Sequence, residues 1–167
     1  MGFRRTQKSI GPERSADLKG VRSAAIALLA RRDFASGELA QRLVERGWDA
    51  TATATVITEL IEERALDDAR FAENYVAYHA NRGQGPMRIS MDLRALGLPV
   101  ELIDGAVAGG SDWRARARAA RVRRFGPDAP EAWPEKSRQA RFLQYRGFSS
   151  DHIRAALGTD FNLDDDT

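Results

Sequence analysis

Apolar residues along this chain recur at helical spacing, and the strict alternation of a half-buried strand is not found. Leu18, Val21, Ala25, Leu28 and Leu29 fall on one face of a first predicted helix. A second runs from Ser36, read as its N-cap, through Leu39 and Leu43 to Gly47. A third covers about Asp49 to Arg64, with Val56, Ile57, Leu60 and Ile61 as its apolar stripe. The cycle then restarts with Phe71, Tyr75 and Tyr78, in a helix broken at Gly83 and Gly85. Pro86 opens the next helix, where its missing N–H costs nothing, and Ile89 and Leu93 lead to Gly97. From Pro99, Leu102, Ile103, Ala106 and Val107 mark a further helix ending at Gly109-Gly110. The last cycle reads as a helix from Trp113 to Phe125, a loop at 126–130, a helix from Pro134 or Glu135 to Gly147, and a final helix through Ile153, Ala156 and Leu157 capped by Ser149 or Ser150.

The three cycles share a period. Glycines stand at 47, 97 and 147, each four residues after a leucine (Leu43, Leu93, Leu143) and one before a large apolar residue (Trp48, Leu98, Phe148). Ten residues beyond each glycine comes Ile57, Val107 or Leu157. Four coincident positions in three copies indicate a repeated helical unit. Glycine adopts positive φ at little cost, so each marks a corner where one helix ends and the next departs. The expected architecture is all-α: three tandem three-helix, helix-turn-helix-like repeats in an elongated, curved molecule, each unit being marginal alone. Residues 18–66, 67–110 and 111–160 form the repeats. A flexible basic arm, 1–17, and an acidic disordered tail, 161–167, flank them.

The run Leu66-Asp67-Asp68-Ala69-Arg70-Phe71-Ala72, followed by Tyr75, resembles the L-D-D-x-R-F-A signature of the RecX family. Arg82-Gly83, Gly85, Arg88-Ile89, Leu93 and Gly97 resemble its R-G-x-G-x-x-R-I-x-x-x-L-x-x-x-G element, and Arg141 to Phe148 its R-F-L-x-x-R-G-F element. The likeness covers about 20–158, and the second-unit element is the most specific. It implies a regulator of RecA, the recombinase that forms filaments on single-stranded DNA. Such proteins have three three-helix repeats, lie in the groove of the RecA–DNA filament and generally inhibit recombinase, ATPase and coprotease activities. The chain departs from many relatives in its longer N-terminal arm.

Composition narrows the alternatives. With no cysteine among 167 residues, disulfides, thiolate metal sites and cysteine nucleophiles are excluded. The two histidines, His79 and His152, are far apart and predict no histidine-rich metal site. Asp67-Asp68 reads as a helix start with anions near the positive end of the dipole rather than as a metal site. No P-loop occurs, and Gly83-Gln84-Gly85 lacks the preceding strand of a dinucleotide site. No enzyme, catalytic residue, cofactor or metal is expected. No apolar run approaches a membrane span, and Met1 to Arg5 leads into no signal-peptide core, so a cytoplasmic protein without membrane contact is expected.

The net charge of +2 hides an uneven distribution: residues 111–147 carry +6 and residues 148–167 carry −4. Of 26 basic residues 23 are arginine, a bias assigned overall to a GC-rich genome, so positions must be argued singly. The helices after the first two corners contain Glu59, Glu62 and Glu63, or Glu101 and Asp104, without arginine, which argues against major-groove reading. After Trp113, Arg114, Arg118 and Arg121 share one face at i, i+4, i+7, while Ala115, Ala119 and Val122 offer a narrow packing face. Arg116 and Arg123 point roughly opposite the arginine row. An anionic partner, either phosphates or an acidic protein surface, is expected there. The candidate filament- or anion-binding set adds Arg31, Arg32, Arg82, Arg88, Arg123, Arg124, Arg138, Arg141 and Arg146. The first two units are expected to recognise protein mainly and the third to add contacts to filament DNA or acidic RecA surface. A monomer acting on the RecA filament, with weak direct DNA contact, is the favoured reading. A nucleic-acid-binding helical repeat independent of RecA is the alternative.

Overall fold

The computed structural model describes residues 16–158. Apart from Ala16 and Asp17, the expected arm lies outside them, as does the expected acidic tail. Among the described residues there are nine helices and no strand. They are α1 (Leu18–Leu29), α2 (Ser36–Glu45), α3 (Ala50–Glu62), α4 (Asp68–Asn81), α5 (Pro86–Ala95), α6 (Val100–Gly110), α7 (Trp113–Phe125), α8 (Trp133–Tyr145) and α9 (Ser150–Leu157).

Two compact units share these helices. The first takes the chain through Phe71 together with Leu96–Leu98, and the second takes Ala72–Ala95 and everything from Pro99. The second sequence cycle contributes residues to both.

In the first unit, Val21, Ala25, Leu28, Leu39, Leu43, Val56, Leu60 and Leu66 make one core, with Trp48 packed partly buried against it. The first corner works as the spacing predicts. Gly47 takes φ +93°, and Trp48 N donates to Leu43 O at 3.2 Å, closing the end of α2. The expected stripe is narrower than its apolar residues: Leu18 and Ile61 are exposed, because each lies at the margin of a helix face already filled by its neighbours.

Capping accounts for the acidic residues before the helices. Asp17, read as part of the arm, accepts from Lys19 N and Gly20 N and starts α1. Asp49 caps α3 through Ala52 N, and Asp112 caps α7 through Ala115 N. Asp67 caps α4 through Arg70 N at 2.9 Å. At α2 the expected cap is displaced: the N-cap is Ala35, which has no side-chain acceptor, and Ser36 is already helical. The carboxylate of Asp68 serves instead, accepting from Ser36 N at 2.7 Å and Ser36 Oγ at 2.5 Å. The two adjacent aspartates therefore cap two different helices.

In the second unit, Val76, Ile89, Leu93, Ile103, Ala117, Leu143, Phe148 and Ile153 are buried. Phe71, where the first unit's main stretch ends, is half-buried. The corner at Gly147, φ +90°, repeats the Gly47 geometry, with Phe148 N donating to Leu143 O at 3.1 Å. It lies against the loop before α5: Gly85 N donates to Arg146 O at 2.7 Å and Met87 N to Gly147 O at 3.0 Å. No side chain fits between the two stretches of backbone. A Cβ on Gly85 would lie 2.4 Å from Gly147 C, and one on Gly147 would lie 2.5 Å from Arg88 Cβ. The final helix begins with a capping box, Ser149 Oγ accepting from His152 N while Ser149 N donates to His152 Nδ1. Burial lowers the His152 pKa, keeping the ring neutral and Nδ1 free to accept.

An arginine-lined cleft as the candidate functional site

The arginine row of α7 is divided: Arg114 and Arg118 are exposed and reach α9, whereas Arg121 is buried. Arg114 donates to Asp151 Oδ2 of α9 through Nη2 at 2.7 Å and Nε at 3.0 Å. That hydrogen bond holds the Asp151 carboxyl below its ordinary pKa. Arg118 reaches Ala155 O near the end of α9 at 3.2 Å. The 114–151 and 118–155 pairs run in step, so α7 and α9 lie side by side in the same direction, with Arg114 and Arg118 along their seam.

Arg121 corrects the expectation most clearly. Only 4% exposed, it is withdrawn from any partner's reach. Its Nη1 donates to Asp128 O at 2.8 Å and its Nη2 to Pro127 O at 3.1 Å, with Gln139 Oε1 3.5 Å from Nη1. The guanidinium clamps the loop that joins α7 to α8. Gln139 passes the network on, donating to Glu135, whose pKa is lowered by that hydrogen bond and by Arg138. The packing face of α7 shifts with it: Trp113, Ala117, Ala120 and Arg121 are buried, whereas Ala115, Ala119 and Val122 are exposed. Trp113, the bulkiest apolar residue of α7, sits one turn from Ala117 on the buried face.

Several other candidates are occupied within the chain. Arg32 binds Glu38 with both Nη groups and lies 3.6 Å over the Phe34 ring. Arg88 pairs with Asp92 and Arg138 with Glu135. Arg31 and Arg141 are exposed and make no ion pair among the described residues.

The remaining four converge. Arg82, Arg123, Arg124 and Arg146 line a cleft of ≈ 100 Å³ with Gly83, Ala120 and Phe142. None of the four lies within ion-pair distance of a carboxylate among the described residues. The glycine corners place them. Gly83 ends α4 just after Arg82, Gly147 ends α8 just after Arg146, and the Gly85–Gly147 contact holds these turns together. Arg123 and Arg124 come from the last turn of α7, where cations are favoured by the helix dipole. Arg146 Nη1 lies 3.4 Å from Arg82 O and Arg123 Nη1 3.4 Å from Asn81 O, which orients both side chains. Arg116 bonds Asn81 Oδ1 at 2.6 Å beside them. The floor is aromatic: Arg146 Cζ sits 5.2 Å from the Phe142 centroid, and Phe125 meets Phe142 edge-on at 5.3 Å.

All four arginines are candidates in the sequence, but nothing there groups them, and Tyr78 and Phe142 stand there only as a helix-face residue and part of a motif. The available signal was the opposition of Arg123 to the Arg114 row, together with the motif arginines that immediately precede Gly83 and Gly147. A second cleft of ≈ 260 Å³ is lined by Met87, Met91, Tyr145 and Phe148, of which the first three are exposed. His79 stacks on Tyr75 with centroids 4.0 Å apart and meets Tyr78 edge-on. No group of three or more potential metal ligands occurs among the described residues, and no helix there is long and apolar enough to cross a membrane.

Fold and surface together define a class, that of all-helical tandem three-helix proteins carrying an arginine-rich cleft free of carboxylates. Three family models match in order: RecX first three-helix domain at 22–60, second at 67–107 and third at 112–157. The chain belongs to the RecX family of regulatory proteins. It is 47% identical over 145 residues to the regulatory protein RecX of Halorhodospira halophila, covering 86% of this chain and 90% of that one. To regulatory protein RecX of Pseudomonas fluorescens it is 38% identical over 141 residues, 84% and 91% of the two chains. The crystal structure of RecX from Lactobacillus salivarius shares the fold, with a TM-score of 0.73 at 20% identity over 84% of this chain and 94% of that one.

Proposed function

We propose that this chain binds the filament RecA forms on single-stranded DNA and lowers the recombinase, ATPase and coprotease activities of RecA, acting as a cytoplasmic monomer without chemistry of its own. The observation that carries this reading is the carboxylate-free cluster of Arg82, Arg123, Arg124 and Arg146 in a chain of three RecX domains. Grouped cations repel one another, so a fold that assembles four of them around one cleft is built for an anion supplied from outside. Both histidines are engaged in packing or capping, which supports a binding role over a catalytic one. The exposed Met87, Met91 and Tyr145 add an adaptable apolar surface suited to protein contact.

Co-sedimentation separates this reading from its alternative. The chain should be retained on RecA-coated single strands more strongly than on bare ones. The exposed substitutions Arg123→Ala and Arg124→Ala together should reduce that retention several-fold while leaving the circular dichroism spectrum unchanged. Equal retention on coated and bare strands would favour the RecA-independent nucleic-acid-binding repeat.

A further inference from the structure

We propose that the four-arginine cleft seats a phosphodiester of single-stranded nucleic acid, and that the exposed ring of Tyr78 stacks a neighbouring base. This deepens the proposed function, on which it rests, by assigning the cleft to the nucleic-acid strand of the filament rather than to the recombinase.

Size, donor geometry and the neighbouring ring favour this ligand. At ≈ 100 Å³ the cleft is well below the roughly 300–1,000 Å³ of sites that enclose small molecules, so it takes one anionic group of a longer chain. Each guanidinium has five N–H donors. Arg123 and Arg146 each direct one Nη toward a main-chain carbonyl, at 3.4 Å, which fixes the side chain and leaves the remaining donors for a ligand. The other lining groups, Gly83, Ala120 and Phe142, bring no acceptor side chain to compete with it. Planar forks of this kind match the oxygens of a phosphate group.

Tyr78 distinguishes a nucleic-acid strand from an acidic peptide. The residue is 57% exposed and stands beside the cleft through Arg82, whose Cζ is 5.3 Å from the ring centroid on one face and whose Nη1 donates to Tyr78 Oη at 3.2 Å. A carboxylate-rich peptide would satisfy the arginines and leave this ring unused. A strand with unstacked bases uses both, since base–aromatic stacking needs only an accessible π-face. Duplex bases are already stacked on one another, so the same geometry selects single strands.

The test uses the full chain without RecA and a fluorescein-labelled oligothymidylate, read by anisotropy across a salt series. Binding should weaken linearly in log salt, and the single strand should be preferred over a duplex of equal length. Arg123→Ala with Arg124→Ala should flatten the salt slope by roughly 0.7 for each phosphate that is no longer neutralised. Tyr78→Leu should weaken single-strand binding on the order of tenfold and leave duplex binding unchanged. Because Arg146 lies in the corner, Arg146→Gln is the second variant, with thermal melting as its folding control. Oligothymidylate binding that ignores these substitutions would overturn the proposal. So would capture of poly-glutamate, but not the oligonucleotide, by the same arginines. Inhibition of RecA without oligonucleotide binding would leave the proposed function standing and remove this inference, whereas oligonucleotide binding without any effect on RecA would remove the function and keep the site.

Discussion

Gly147→Ala should destabilise the protein by about 2–5 kcal/mol, read as a drop in the urea midpoint at unchanged slope. Two costs add. The residue has φ +90°, which an L side chain adopts at a cost of roughly 1–2 kcal/mol. Its new methyl group would also lie 2.5 Å from Arg88 N and Cβ, an overlap that shifting a side-chain tip cannot relieve and that costs about 1–3 kcal/mol. Gly85→Ala should behave alike, since its Cβ would meet Gly147 C and O at 2.4 Å. The control is Gly105→Ala inside α6, where nothing lies within 4 Å of the new carbon. That substitution should stabilise by about 0.5–1 kcal/mol through backbone entropy and helix propensity. A Gly147→Ala protein as stable as the parent would remove the account of the corner.

Arg121→Ala should cost about 2–4 kcal/mol, whereas Arg114→Ala and Arg118→Ala should leave folding nearly unchanged. Removing the buried guanidinium releases the loop it holds at Pro127 and Asp128 and empties the space its stem fills. Arg121→Lys should rescue little, because one ammonium cannot reproduce the fork that spans both carbonyls. Arg114 is 63% exposed along its side chain and its pair with Asp151 is screened by solvent. Urea unfolding of the three single variants checks this ranking. Equal midpoints would show that Arg121 is no clamp.

The contrast within one row of arginines shows what the sequence could and could not convey. Spacing put Arg114, Arg118 and Arg121 on a single face of α7, but which of them meets α9 and which is buried depends on segments further along the chain. The same holds for Asp67 and Asp68. Their position at a helix start was legible, yet Asp68 caps α2 from 32 residues away, a partner that no local pattern names. The glycine corners were the most legible element, because positive φ is a local demand that leaves one residue type at a fixed place. Their further role, bringing Arg82 beside Arg146 through the Gly85 contact, is tertiary and came only with the structure. Face assignments failed at the margins, as at Ile61 and Val122, where apolar character alone predicted burial.

The most direct measurement of the central claim is the rate of single-stranded-DNA-dependent ATP hydrolysis by the cognate RecA as this protein is titrated in. The rate should fall with added protein, and the Arg123→Ala, Arg124→Ala variant should need several-fold more protein for the same reduction. A hydrolysis rate that stays level throughout the titration, with filament length and strand exchange equally unaffected, would contradict it.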